Sequence, residues 1–225
     1  MVTSPPVTGR RPGWPEIAVG LVVFAVLLLA AGLWTTSIPD SQATLRADVG
    51  LGSGGAAGIF GLLAAVALRI RRLGPFGFRS VVPRWLLIGA GLGVAVYFVN
   101  LGVGELYYAI FGDENNQGDF QTATASGTFA LLATLVTGAL LTPFGEEVLF
   151  RGVIANALSR YNVWVTVIAG ALIFAVVHGI NVISPLAFVV GVVTGLLFLH
   201  TGSIWPGVVL HVVYNGLNLL RYAFS

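Results

Sequence analysis

Leu141-Thr142-Pro143-Phe144-Gly145-Glu146-Glu147-Val148-Leu149-Phe150-Arg151-Gly152 sets Glu146, Glu147 and Arg151 into an otherwise apolar part of the chain. A charged side chain at the centre of a membrane helix costs roughly 2.5–3.5 kcal/mol on insertion scales. Three such groups so close together need partners or a purpose. Candidates for both lie further along, where His178, His211 and Asn215 each sit in a later apolar segment.

The surroundings decide how this stretch is read. The chain of 225 residues is 56% hydrophobic and 9% charged, against about 25% charged in an ordinary soluble domain. A single soluble core of this size cannot hide that much apolar surface. Thirty glycines fit helices packed closely in lipid. The expected fold is all-α, a polytopic transmembrane bundle of about seven spans, or eight if one segment is split. It would be a multi-pass protein of the cell membrane with the active-site residues on three C-terminal helices.

Composition also excludes chemistry. With no cysteine there are no disulfides, thiolate nucleophiles or thiolate metal ligands. All eleven basic residues are arginine, so lysine Schiff-base chemistry and Walker-type nucleotide binding both lack their cation. A formal charge of +2, thinly dispersed, gives no reason to expect nucleic acid as a partner.

Residues 1–16 read as a disordered cytoplasmic tail. Residues 17–126 form the N-terminal transmembrane region, with spans at about 17–34, 49–68 and 85–110. Gly50, Gly54 and Gly58 make a small-residue stripe suited to close helix contact. Arg69, Arg71, Arg72, Arg79 and Arg84 mark the following segment as cytoplasmic by the positive-inside rule, and its Leu73–Phe78 portion is expected to lie along the interface. The acidic loop 112–119 carries no arginine and is expected outside. The core, 127–225, holds a long helix over 127–160, kinked near Pro143 and Gly145. Spans at 163–181, 184–200 and 203–222 follow, which leaves the C-terminus outside.

A helix turns about 100° per residue. Glu147 and Arg151, four apart, share a face and can pair, while Glu146 is rotated away towards another helix. Phe174 and His178 share a face, as do His211 and Asn215. Glu146 and His211 fall near the centres of their segments, with His178 somewhat beyond its own. All four polar groups can therefore meet at one depth. An intramembrane cluster of this kind is by default a functional-site hypothesis.

The motifs Glu146-Glu147-x-x-x-Arg151, Phe174-x-x-x-His178 and His211-x-x-x-Asn215, in that order, resemble the CAAX-protease and bacteriocin-processing (CPBP, or Abi) family. That family contains the type II CAAX prenyl endopeptidases. The resemblance spans about residues 127–216, and it implies an intramembrane endopeptidase acting on a peptide or membrane protein. By the resemblance, Glu146 and His178 would position and deprotonate a water. His211 and Asn215 would hold the oxyanion, and Glu147 with Arg151 would brace the site. Bacterial relatives are associated with peptide maturation, self-immunity and regulated cleavage.

Glu146, His178 and His211 could also make a His₂-carboxylate zinc site. The His-Glu-x-x-His pairing of zinc proteases is absent, which favours catalysis without a cofactor. The Gly-x-Ser-Gly of rhomboids is missing around Ser53, and no Gly-x-Gly-Asp of presenilin-like aspartyl proteases occurs. Two non-proteolytic readings remain. One is a scaffold or transporter-associated subunit of the same family, which would have no need of the intact polar set. The other is a proton-coupled carrier, against which the spans show no obvious inverted repeat.

Overall fold

The computed structural model describes residues 11–112 and 118–224. The first ten residues of the expected tail and positions 113–117 of the acidic loop lie outside them. Among the described residues there are helices and no strand, as the composition requires.

Eight helices follow one another. They are α1 (Trp14–Thr35), α2 (Asp40–Ile70), α3 (Pro83–Phe111), α4 (Gly118–Ala125), α5 (Thr128–Leu158), α6 (Val165–Val176), α7 (Ile183–Thr201) and α8 (Trp205–Ala223). Five of them, α1, α2, α3, α5 and α7, are long and apolar enough to cross a membrane. Large apolar side chains such as Leu33, Leu87, Phe98, Phe129 and Trp164 lie on the outside of the bundle. That is the pattern of a helical membrane protein, in which lipid is the outer solvent.

The remaining two expected spans depart from the simple pattern for separate reasons. At 1.5 Å per residue α6 reaches about 18 Å, short of the roughly 30 Å hydrocarbon core. Gly179, at φ +83°, takes a left-handed conformation that ends the chain's helical path just beyond it. Helix α8 has the length, but His211, Asn215 and Asn218 interrupt its apolarity. Those residues turn inward, and the reason lies in the site.

Helix α2 packs between α1 and α5, α3 lies along α8, and α6 lies along α7. The α2–α5 crossing is set by glycine, and of the expected stripe Gly50, Gly54 and Gly58 only Gly58 is in close contact there. A Cβ at Gly58 would stand 2.0 Å from the Gly145 carbonyl oxygen, and one at Gly55 would stand 2.4 Å from that of Leu141. Gly50 has open space around it, and Gly54 has only ordinary contacts. Register decides this, because Gly55 and Gly58, three apart, are the pair that faces α5.

The arginine-rich connection is anchored in the bundle at one point, while Leu73 beside it stays 44% exposed. Phe76 is completely buried, Asn156 donates to the Pro75 carbonyl at 2.6 Å, and the Gly77 carbonyl accepts from Ile204 N–H at 3.1 Å. Burying a phenylalanine is worth about 1.5–3 kcal/mol, and the backbone polar groups around it find partners inside.

Candidate active site

Helix α5 is continuous but uneven. A wide π-helical turn over Leu135–Leu141 and another over Phe150–Ala155 flank the α-helical Thr142–Leu149. Pro143 cannot donate to the turn before it, and the Thr142 hydroxyl instead bonds the carbonyls of Thr137 at 2.9 Å and Leu51 at 2.6 Å. Such bulges inside α-helices recur at functional sites. Here they bracket the turn that presents both glutamates.

The two carboxylates part as the helical angle requires. Glu146 faces a cavity of about 270 Å³ between α2, α5, α7 and α8, whose wall also includes His178, His211 and Asn215. Its Oε1 lies 3.5 Å from His178 Nε2, and its Oε2 lies 3.7 Å from His211 Nε2. Glu147 points the other way into complete burial, where its Oε1 is 3.2 Å from the Arg151 guanidinium.

His178 lies two residues past the end of α6, in a turn instead of on a helix. That turn is tied down locally. The His178 carbonyl accepts from the Asn181 amide at 2.9 Å, and the Asn181 side-chain oxygen accepts from Ile183 N–H at 2.8 Å. The ring itself is held by Nδ1 against the Phe174 carbonyl at 2.7 Å. A carbonyl only accepts, so Nδ1 carries a proton there and Nε2 is directed at Glu146.

His211 is buried and bridges the two glutamates, with Nδ1 3.2 Å from Glu147 Oε1 and Nε2 towards Glu146. Asn215 donates one amide hydrogen to the Gly138 carbonyl at 2.8 Å, which fixes its plane and leaves a second N–H. Phe174 joins these parts. Its ring lies 4.7 Å from the Arg151 guanidinium carbon and packs edge-on against both histidines.

The sequence reading missed Thr194 and Gly207. The Thr194 hydroxyl accepts from Arg151 Nε at 2.7 Å and also from an Nη, and it donates to the Val190 carbonyl. A Cβ at Gly207 would come 2.8 Å from Glu147 Oε2, so only glycine leaves that carboxylate its room. One threonine in an apolar span and one glycine among thirty carry no signal in sequence. Among the described residues no group of three His, Asp or Glu side chains is arranged to hold a metal ion.

Comparison with known proteins finds similarity over one region. Residues 128–217, which run from the start of α5 into α8, match the family model described as type II CAAX prenyl endopeptidase Rce1-like. An Escherichia coli protein described only as an uncharacterized 24.3 kDa protein is 32% identical over 97 residues. That match covers 40% of this chain and 44% of the relative's length, so the chain spans under half of the curated protein it resembles. No solved structure matches the chain. The matched region contains Glu146, Glu147, Arg151, His178, His211 and Asn215 together, so over residues 128–217 the chain is similar to the type II CAAX prenyl endopeptidase Rce1-like family.

Proposed function

We propose that this chain is an intramembrane endopeptidase in which a water activated by Glu146 and His178 hydrolyses a peptide bond. The observation that carries the reading is the convergence on one cavity of the Glu146 carboxylate and His178 Nε2, 3.5 Å apart. With Nδ1–H engaged by the Phe174 carbonyl, a neutral His178 offers a lone pair at Nε2. Two acceptors then face one point, and a water there donates one hydrogen to each. Its own lone pair is turned into the cavity towards a peptide carbonyl.

On attack, the water oxygen bonds the carbonyl carbon and its proton passes to Glu146. The carbonyl oxygen takes the negative charge, the C–N bond breaks, and Glu146 returns the proton to the leaving amine. A positioned general base of this kind contributes typically 10²–10⁴-fold. The free N–H of Asn215 serves the oxyanion. His211, whose Nδ1 faces Glu147 and whose Nε2 faces the cavity beside Glu146, is placed to serve the oxyanion as the second group. Donors of this kind are worth about 2.7–4 kcal/mol each in a water-poor pocket.

Every step is carried by side chains of this chain, and metal-independent catalysis is part of the proposal. Incubation with a chelator followed by dialysis should leave cleavage intact. Comparing membrane peptides in cells with the native protein and with Glu146→Gln tests the activity itself. A substrate should accumulate in the variant, and identical peptide profiles would refute the reading.

A further inference from the structure

The two ends of the bundle are opposite in charge. Arg69, Arg71, Arg72, Arg79, Arg84 and Arg160 gather at one end. The other end carries Asp40, Asp48, Glu105 and Asp119, with Arg46 tied to Asp40 and Asp119 at 2.6 Å each. By the positive-inside rule the arginine end faces the cytoplasm.

The catalytic cavity is asymmetric along the same axis. From Glu146 its wall climbs α2 through Gly54 to Gly50, away from Arg69. Along α8 it climbs from His211 through Asn215 and Asn218 to Tyr222, and Phe120 of the short α4 forms part of its rim. Each of these paths leads to the acidic end. On the arginine side of Glu146 the packing is shut, since Phe76, Leu149, Phe150 and Ile204 are at most 1% exposed. A second cavity of about 260 Å³, polar and bordered by Glu105 and Arg221, lies at the acidic end and shares Asn218 and Tyr222 with the first.

We propose that the site takes its substrate from the acidic, non-cytoplasmic side, as an extended segment of a membrane-associated polypeptide exposed at that face. The distance along α8 from His211 to Tyr222 is about 16 Å, which about five extended residues span. A scissile bond about five residues from the outer boundary therefore reaches Glu146 without opening the core. A segment arriving from the cytoplasm would have to displace the packing around Phe76 and Phe150. This inference rests on the protease reading for its substrate, while the direction of access rests on the cavity and on the placement of the arginines.

The chain has no cysteine, so single cysteines can be introduced without background. Leu51→Cys and Asn218→Cys place a thiol in the cavity, and Ser159→Cys places one at the arginine end. Each full-length protein is treated with a membrane-impermeant maleimide in intact spheroplasts and in inverted vesicles. Elution as a single species in detergent, with labelling there, confirms folding and a competent thiol. The proposal expects Leu51→Cys and Asn218→Cys to label in spheroplasts and Ser159→Cys only in inverted vesicles. Cavity thiols that label only in inverted vesicles, or from neither side, overturn it. Because labelling needs no turnover, loss of the protease reading in the Glu146→Gln comparison would leave this result standing, and the reverse also holds.

Discussion

Nδ1 of His211 and a guanidinium nitrogen of Arg151 meet the same oxygen of Glu147, each at 3.2 Å. A single buried carboxylate thus ties α8 to α5, and through Arg151 and Thr194 to α7. The expected i,i+4 pair is present, but it is one arm of a junction between three helices. The position of His211 over the cavity depends on it.

Glu147→Ala should therefore destabilise the protein severely, by about 3–5 kcal/mol, because it leaves Arg151 buried without its counter-charge. Thermal unfolding in detergent measures this. A variant as stable as the parent would deny the junction its structural role.

Glu146→Gln should leave the fold nearly unchanged while lowering kcat by about 10²–10⁴, the usual contribution of a general base. The amide keeps shape and volume but cannot take a proton. Turnover of an accumulated substrate, alongside the unfolding temperature, separates the two effects.

Asn215→Ala should lower kcat by about 10²–10³ with little change in KM, as expected for a donor that acts chiefly in the transition state. A rise in KM at unchanged kcat would instead place Asn215 in ground-state binding.

Gly58→Ala and Gly50→Ala should behave oppositely. At Gly58 the added methyl meets the Gly145 carbonyl at 2.0 Å, whereas at Gly50 it meets nothing within 4 Å. Overpacking typically costs about 1–3 kcal/mol, so Gly58→Ala should unfold at clearly lower temperature. Gly50→Ala should stay within about 0.5 kcal/mol of the parent. Equal losses would contradict the observed helix register.

The hydrogen-bonded guanidinium of Arg46 holds the Asp119 carboxyl below its ordinary range. A lowered folded-state pKa adds stability above the unfolded value, about 3.9 for Asp, and that stability is lost as pH falls through the folded value. Asp119→Asn should accordingly melt below the parent at neutral pH, with the gap closing in acid and shrinking in high salt. A gap independent of pH would mean the pair contributes through packing.

Much of this molecule is legible in one dimension. The hydropathy of the chain dictates a helical membrane bundle, because lipid accepts no unpaired backbone. The four-residue spacings of Glu147 with Arg151 and of His211 with Asn215 fix which residues share a face, because the helix has one period. The same period, a rotation of about 100° per residue, is enough to turn Glu146 away from its neighbour.

What the sequence could not give is contact between segments far apart along the chain. Whether Gly54 or Gly55 faces α5 depends on the rotation of two packed helices, and so does the room Gly207 leaves for Glu147. Thr194 acquires its role only where α7 meets Arg151, and Phe76 only where its loop finds a gap beside α5. Glu146 likewise announces itself by its cost in lipid, but the end of the bundle from which it can be reached is set by where side chains pack shut. Local periodicity belongs to the sequence by itself; the shape of the space between helices belongs to the tertiary structure, because close packing is a property of all of them at once.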